Sequence, residues 1–125
     1  MTVVGIGIDA TDIPRVAEMF ARYGDRFLRR VFTAGEIEYC TRRRDPAPHL
    51  AARFAAKEAA MKALGTGHTA GVLWHDVEVI RDEGPPQLVL HGGAAEYARN
   101  LRVVRSLLTI THAETIAIAQ VMLVG

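Results

Sequence analysis

The sequence predicts an α+β fold in which a mostly antiparallel sheet packs on a long alanine-rich helix. Helical patterns fill the first half of the chain, and β-rich alternating segments fill most of the second half. A single β-branched strand precedes them at the N-terminus. Helices early and hairpins late are typical of an α+β domain. The 125 residues are expected to form one domain, 1–125, with a real but modest core.

The first elements are predicted from short local signals. The run V-V-G-I-G-I-D at residues 3–9 indicates a buried strand, whose glycines suggest close backbone approach within a sheet. It lacks the third glycine of a dinucleotide fingerprint. Asp12 can cap a helix that has Pro14 in its first turn and ends near Tyr23.

The next two helices have clear start signals. Thr33 and Glu36 fit a capping box, which predicts a helix from there to about Arg43. Pro46 and Pro48 then predict a loop. The alanine-rich helix is expected at about 48–64.

The second half of the chain contains a predicted hairpin, a short helix and two further strands. Polar and apolar residues alternate on both sides of the turn 83–86, E-G-P-P, which is a hairpin signal. The predicted segments are 76–81 and 87–91 for the hairpin, 92–101 for the helix, and 103–111 and 116–124 for the strands.

The long helix carries charge where charge is costly. On a helical wheel, Lys57 projects into the middle of a narrow apolar stripe and Glu58 lies on its edge. Such groups need partners, which are each other, a metal or a ligand. The stripe consists of Leu50, Phe54, Met61 and Leu64.

The helix ends in Gly65-Thr66-Gly67, which permits two interpretations. Free backbone N–H groups in this turn would lie near the charged face and suggest an anion-handling, metal-assisted site. Alternatively, Glu58 and Lys62 form an ordinary exposed pair at i, i+4, and Gly65 is a helix C-cap. This segment alone does not decide between them.

Composition and charge exclude some functions. The net charge of +1 excludes a strongly basic nucleic-acid binder. The segment 15–44 nevertheless holds eight arginines against four acidic residues. This excess of positive charge either attracts an acidic partner or is the ordinary charge of solvent-exposed helix faces. The single cysteine, Cys40, excludes an internal disulfide and fits a reducing compartment. No apolar run approaches the length of a membrane span, so a cytoplasmic location is expected.

Two carboxylates are candidate metal ligands. Asp9 at a strand end and Glu58 on a helix are suitable hard ligands for Mg²⁺, which takes few protein oxygens. Their spacing in the sequence does not by itself show that the two carboxylates lie close together in the fold. His112, considered by itself, is more readily a structural loop histidine than a ligand.

Four motifs carry a resemblance to a known family. They are G-I-G-I-D-A-T-D-I-P-R at 5–15, A-A-R-F-A-A-K-E-A-A-M-K-A-L-G-T-G at 51–67, W-H-D-V-E-V at 74–79 and T-I-T-H with A-I-A-Q-V at 109–121. In this order and spacing the chain resembles the holo-acyl-carrier-protein synthases, the short bacterial class of the 4′-phosphopantetheinyl transferases. The helix with its G-T-G turn is the most specific block.

The resemblance implies a reaction and a metal site. The family transfers the phosphopantetheine arm of coenzyme A to a serine of apo-acyl carrier protein, which releases adenosine 3′,5′-bisphosphate. Asp9 and Glu58 match its Mg²⁺ ligands, with Mn²⁺ as an alternative ion. With Lys62 they form the implied catalytic group. The fatty-acid carrier protein is the expected acceptor.

The resemblance also implies binding residues and an assembly. The implied coenzyme A contacts are Arg53, Lys62, Gly65, Thr66, Gly67 and His112, with the turn donating backbone N–H groups to phosphate. Arg15, Arg22 and Arg26 match a basic surface that docks the acidic carrier protein. Family members form homotrimers with the coenzyme site between neighbouring subunits. No nucleic-acid or membrane partner is implied.

Some questions stay open in the sequence. The base that takes the serine proton is a metal-bound water, Glu58 or a carboxylate of the Glu36/Glu38 helix. Pro85 stands where many relatives carry a basic residue, and Ala113 where threonine is common, which predicts altered coenzyme affinity. Rival functions are a non-enzymatic module that binds an acidic protein, and a transferase serving polyketide or peptide synthases.

Overall fold

The computed structural model describes residues 1–67, 69 and 71–125. It confirms an α+β fold with antiparallel sheets, and a short 3₁₀ turn at Trp74–Asp76 precedes the hairpin. The helices and strands in chain order are β1 (Val3–Asp12), α1 (Ile13–Tyr23), α2 (Asp25–Val31), α3 (Ala34–Thr41), α4 (Pro46–Leu64), β2 (Val77–Ile80), β3 (Gln87–Leu90), α5 (Gly92–Asn100), β4 (Arg105–His112) and β5 (Ile116–Val124).

The strands form two separate sheets. The larger is antiparallel, with the order β1-β5-β4, and the predicted hairpin forms the second, β2-β3. In the larger sheet Ile6 lies opposite Met122, which in turn lies opposite Leu107. These three side chains point away from α4 and are partly or largely exposed. One face of this sheet therefore covers α4 while the other presents apolar side chains outward.

Glycines on β1 let its backbone lie directly against α4. A Cβ added to Gly7 would come within 2.0 Å of the carbonyl oxygen of Ala59, and one added to Gly5 within 2.0 Å of that of Ala63. The predicted close approach is therefore made to a helix and not within the sheet. The alanines of α4 are the matching small residues on the other side of this contact.

The predicted loop at Pro46 and Pro48 is wrong, because α4 begins at Pro46. Asp45 is its N-cap, with the carboxylate accepting from the N–H of Ala47 at 3.4 Å. Proline is tolerated in the first turn because those N–H groups have no acceptor within the helix. The capping box of Thr33 and Glu36 is confirmed.

Helix α2 was not predicted from the sequence. It has only seven residues and starts directly after Gly24, which separates it from α1. Its buried residues are Phe27, Leu28 and Val31, too few for a recognisable helical period. Strand β1 also runs three residues beyond the prediction, since Asp12 still pairs with Ile116 of β5.

Among the described residues, no helix is long and apolar enough to cross a membrane.

Candidate functional site

The fold brings Asp9 and Glu58 to one cavity. Asp9 lies on β1 and Glu58 on α4, and both line a cavity of about 400 Å³. Lys62 is one helical turn beyond Glu58, and its Nζ donates to Oδ1 of Asp9 and to the carbonyl of Ile8, each at 3.0 Å. The hydroxyl of Thr11 donates to Oδ2 of Asp9 at 3.0 Å. The three predicted catalytic residues therefore lie together, although no spacing in the sequence required it.

The donor set fits a hard divalent cation. Two carboxylates from different elements line an open cavity, which leaves room for water and phosphate oxygens around Mg²⁺. In the described part of the chain no group of three or more His, Cys, Asp or Glu could hold a metal.

The buried Lys57 forms an ion pair with Glu36 of the same chain. Its Nζ lies 2.6 Å from Oε1 of Glu36, and both side chains are fully buried. It also donates to the carbonyls of Trp74 at 3.1 Å and Val77 at 2.5 Å. Burial lowers the pKa of Lys57, while the Glu36 carboxylate opposes that effect. The charge inside the apolar stripe is thus structural, and Glu36 is too deeply buried to be the serine base.

The G-T-G turn does not offer the free backbone N–H groups that one interpretation of the sequence expected. Gly65 caps α4 in the left-handed conformation, with φ of 81°. The N–H groups of Gly65, Thr66 and Gly67 all donate to the carbonyl of Met61, at 3.0, 3.1 and 3.4 Å. These donors are engaged in ending the helix, so the predicted free N–H groups are absent from these three residues.

A basic groove adjoins the carboxylate cavity. Arg15 lines that cavity together with Met19 and Phe27. Met19 and Phe27 also line a second cavity of about 380 Å³, whose other lining residues include Arg26 and Arg30. The two cavities therefore adjoin at Met19 and Phe27, and we call them together the groove, with the carboxylates in the first cavity and a basic, partly apolar lining in the second. The lining of both within the described chain is completed by Tyr23, Val16 and residues 9–12, 54 and 58.

Arg22 is placed differently from Arg15 and Arg26. Its Cζ lies 5.5 Å from the ring centroid of Tyr23, and it does not line either cavity among the described residues. Two of the three arginines proposed for the carrier protein therefore border the groove.

Arg53 and His112 lie together in a different cavity, of about 310 Å³. Its lining also includes His49, Arg81 and Pro86. It shares no residue with the carboxylate cavity in the described chain. The residues predicted to bind coenzyme A are thus divided between two separate surfaces of one subunit.

A family model described as the 4′-phosphopantetheinyl transferase superfamily matches residues 5–119. The chain belongs to this superfamily. The match includes Asp9, Glu58, Lys62 and His112, and the resemblance inferred from the four motifs is confirmed.

Known members of this transferase superfamily match over their whole length. The holo-[acyl-carrier-protein] synthase of Koribacter versatilis is 49% identical over 122 residues, which is 97% of this chain and 98% of that protein. The crystal structure of the Neisseria meningitidis synthase is 27% identical with a TM-score of 0.90, covering 99% of this chain and 100% of that one. The Helicobacter pylori synthase, solved in complex with coenzyme A, is 28% identical with a TM-score of 0.84, covering 95% and 99%.

Several residues that line these cavities were not predicted from the sequence. Met19 and Arg30 line the groove, and His49 and Arg81 line the cavity of Arg53 and His112. Arg30 lies on the helix that was not predicted, so nothing indicated which way it faces. Arg81 and His49 are brought to one cavity by the hairpin and α4, which are distant in sequence.

Proposed function

We propose that this chain transfers the 4′-phosphopantetheine group of coenzyme A to a serine hydroxyl of apo-acyl carrier protein and releases adenosine 3′,5′-bisphosphate. The observation that carries the proposal is that Asp9 and Glu58 line one cavity and that Lys62 donates to Asp9, in a chain that belongs to the superfamily. Relatives named holo-[acyl-carrier-protein] synthase and a structure in complex with coenzyme A support it.

Asp9 and Glu58 would hold Mg²⁺, or Mn²⁺ in its place. The ion would neutralise charge on the coenzyme A diphosphate as the phosphoanhydride bond breaks. Lys62, whose side chain is 51% exposed, brings a positive charge next to Asp9. It can therefore leave Asp9 for a phosphate oxygen of the transferred group.

The reaction exchanges one phosphorus–oxygen bond for another. The serine oxygen attacks the phosphorus that bears the pantetheine arm, and the bond to the nucleotide's 5′-phosphate breaks. The serine proton passes to a base at the cavity, and Glu36 is excluded because it is 1% exposed and bonded to Lys57. Glu38 lines a different cavity, so among the protein carboxylates proposed as the base we assign the role to Glu58, which lines this cavity.

We assign the coenzyme contacts to two surfaces that a homotrimer would bring together. Gly65, Thr66 and Gly67 follow directly from the helix that carries Glu58, and among the described residues no atom lies within 4 Å of a Cβ placed on either glycine, which leaves room for a ligand on that side. Arg53 and His112 line the other cavity. Because these surfaces are separate within one chain, the second would be supplied by a neighbouring subunit.

The outward face of the larger sheet supports such an assembly. Ile6 and Ile8 are 56% and 59% exposed, and Leu107 is 41% exposed in the same face. Contiguous apolar side chains on a sheet face mark an interaction surface. We assign this face to contacts between copies of the chain in a closed trimer.

The groove that starts at the carboxylate cavity would receive the carrier protein. Arg15, Arg26 and Arg30 supply positive charge, while Met19 and Tyr23 add partly exposed apolar surface. An acidic helix with apolar residues complements this surface. Arg22 lies beside the groove and would add to its field. We propose the fatty-acid carrier protein as the acceptor and the cytoplasm as the compartment.

Pro85 stands where many relatives carry a basic residue, and the residues around it show whether a positive charge is still present near the turn. Pro86 of the hairpin turn lines the cavity of Arg53, and Arg81 at the other end of that turn lines it too. A positive charge is therefore retained next to the turn. Ala113 donates its N–H to the carbonyl of Ile116, which closes the loop after His112 without a side-chain hydroxyl.

The test is the intact mass of apo-acyl carrier protein after incubation with this chain, coenzyme A and Mg²⁺. We expect a gain of one phosphopantetheine, lost with EDTA and with Asp9→Ala. Glu96→Ala is the matched control, because Glu96 is an exposed carboxylate on α5, lines neither the carboxylate cavity nor the cavity of Arg53, and should leave the reaction unchanged. Tight carrier binding without a mass gain, unaffected by Asp9→Ala, would favour a non-enzymatic binding module. Transfer only to polyketide or peptide synthase domains would change the acceptor.

A further inference from the structure

Thr11 and Asp9 lie on the same face of β1. Side chains two residues apart on a strand point to the same side, and the close approach of Gly5 and Gly7 to α4 shows that this side faces the helix. Thr11 and Asp9 also line the same cavity as Glu58 of α4. The face of β1 that meets α4 therefore carries glycines where the helix is closest, and then a carboxylate and a hydroxyl at the cavity.

The hydroxyl of Thr11 is a buried donor to the carboxylate of Asp9. Its Oγ1 donates to Oδ2 at 3.0 Å, and Thr11 is only 8% exposed. A hydrogen bond to an ionised carboxylate is stronger than one between neutral groups. Threonine is β-branched and therefore restricted in its χ1 angle, and the fully buried Ala117 lies opposite it on β5. The packing of the strand thus holds the hydroxyl at a fixed place beside Asp9.

The two oxygens of Asp9 are held by different kinds of donor. Oδ1 accepts from Nζ of Lys62 at 3.0 Å, and that side chain is 51% exposed. Oδ2 accepts from the buried Thr11. A long, half-exposed side chain changes its conformation easily, whereas a buried β-branched one does not. Oδ1 is therefore the oxygen that Lys62 can release to a ligand, while Oδ2 stays on the hydroxyl.

Asp12 lines the same cavity but serves the fold. One of its carboxylate oxygens, Oδ2, accepts from the backbone N–H of Arg15 at 3.2 Å and caps α1. The hydroxyl of Thr11, in contrast, acts on Asp9, the carboxylate assigned to the ion.

The way in which a carboxylate is held affects which divalent cation it suits. Mg²⁺ demands near-octahedral geometry, whereas Ca²⁺ accepts flexible geometry and carboxylates that bind through both oxygens. Hydrogen bonds from neighbouring groups set the orientation of a ligating carboxylate. A hydroxyl that keeps one oxygen of Asp9 therefore opposes the two-oxygen mode that Ca²⁺ accepts.

We infer that Thr11 is a positioning residue, whose hydroxyl holds Oδ2 of Asp9 so that Oδ1 alone is offered to the divalent cation, and that it thereby favours Mg²⁺ over Ca²⁺. The inference rests on the proposed function, in which Asp9 holds the ion. It adds to that function a residue that selects the ion without touching it.

The test is the binding of metal alone to the whole chain, without coenzyme A or carrier protein. Electron paramagnetic resonance of free Mn²⁺ measures its binding, and Mg²⁺ or Ca²⁺ is then used to displace it. Thr11→Val removes the hydroxyl at similar volume and should weaken Mn²⁺ binding about tenfold. It should also lower the ratio of Mg²⁺ to Ca²⁺ affinity about fivefold. Thr11→Ser keeps the hydroxyl and should keep both values.

Thr41→Val is the matched control for the loss of a threonine hydroxyl. Thr41 donates to the carbonyl of Ile37 within α3, is exposed, and is not among the described residues that line the carboxylate cavity. Thermal unfolding confirms that each variant folds, and Thr11→Ala takes the place of Thr11→Val if the latter does not. An unchanged ratio of Mg²⁺ to Ca²⁺ affinity in the folded variant without the hydroxyl overturns the inference. Thr11→Ser behaving like Thr11→Val overturns it as well.

Asp9→Ala and a parallel transfer assay separate this result from the proposed function. Unaltered Mn²⁺ binding in Asp9→Ala overturns the proposed metal site and the inference together. Loss of Mn²⁺ binding in Asp9→Ala, with an unaltered ratio in Thr11→Val, overturns the inference alone. A ratio that depends on the Thr11 hydroxyl, in a chain that transfers no phosphopantetheine, supports the inference and overturns the proposed reaction.

Discussion

The ammonium group of Lys57 and the carboxylate of Glu36 form a buried ion pair, with Nζ and Oε1 2.6 Å apart. Glu36 also accepts from the backbone N–H of Thr33 at 2.9 Å and of Val79 at 2.9 Å. Lys57 donates to the carbonyl of Val77 at 2.5 Å. This network ties α3, α4 and β2 together. It therefore fixes the helix that carries Glu58 in relation to the rest of the fold.

Replacing Lys57 by methionine should lower the free energy of unfolding by about 3–5 kcal/mol, because it leaves a buried carboxylate without its cation. Urea unfolding monitored by circular dichroism measures this. Lys62→Met is the control, since the Lys62 side chain is half-exposed and should change stability by about 1 kcal/mol or less. The double variant Glu36→Gln/Lys57→Met should recover part of the loss. A loss below about 1 kcal/mol in Lys57→Met would contradict this account.

Gly7→Ala should destabilise the fold by about 3 kcal/mol or prevent folding. Its Cβ would meet the carbonyl oxygen of Ala59 at 2.0 Å and the backbone nitrogen of Ala63 at 2.8 Å, and neither can move without shifting α4. Gly35→Ala is the matched control, because its nearest neighbour is a Glu78 side-chain oxygen at 3.4 Å. Equal midpoints of urea unfolding for the two variants would show that β1 and α4 can separate at little cost.

Arg15→Ala should weaken carrier-protein binding about fivefold at low ionic strength, which corresponds to about 1 kcal/mol. It should also flatten the dependence of association on salt. Arg99→Ala is the control, because Arg99 is exposed on α5 and outside the groove. Surface plasmon resonance over a series of salt concentrations gives both values. An unchanged affinity and salt slope would remove Arg15 from the docking surface.

Ile6→Lys should convert the proposed trimer to monomer, since it places a charge in the outward apolar face of the sheet. Sedimentation equilibrium measures the mass. Leu73→Lys, at an exposed position outside the sheet, should leave the trimer intact. A monomer mass for the unaltered chain at assay concentration would refute the assembly.

Stability should depend on pH through His49. Its pKa in the folded state is lowered from the usual 6.5, chiefly by burial and then by Arg43 and Arg53. As pH falls below 6.5 the unfolded chain therefore takes up this proton first. The contribution is fully present above 6.5 and is lost as pH falls through the lowered pKa. The slope of unfolding free energy between pH 7 and about 5 should be smaller in His49→Phe. Parallel slopes would show that His49 is not responsible.

Local signals predicted most of the elements correctly. The capping box of Thr33 and Glu36, the Asp12 cap and the hairpin all depend on residues close together in the chain. The failures have local reasons as well. The prolines at 46 and 48 predict a loop, although a first helical turn accepts proline, and α2 is too short to show a period.

The site could be predicted only in part. The motifs and the family resemblance singled out Asp9, Glu58 and Lys62, but the shared cavity of the two carboxylates and the contact of Lys62 with Asp9 depend on β1 lying against α4. The charged position in the apolar stripe was correctly seen to need a partner. That partner proved to be Glu36 and not a metal or a ligand.

By itself the sequence determined the family, the order of elements and the residue types of the carboxylate site, because these depend on local patterns and on whole motifs. Tertiary structure alone decided that Lys57 is structural and that the N–H groups of Gly65, Thr66 and Gly67 end the helix. Which groups form these ion pairs and hydrogen bonds depends on the packing between segments that are distant in sequence. Burial sets the cost of leaving a charge or a donor unpaired, and only the folded chain shows which groups are buried together.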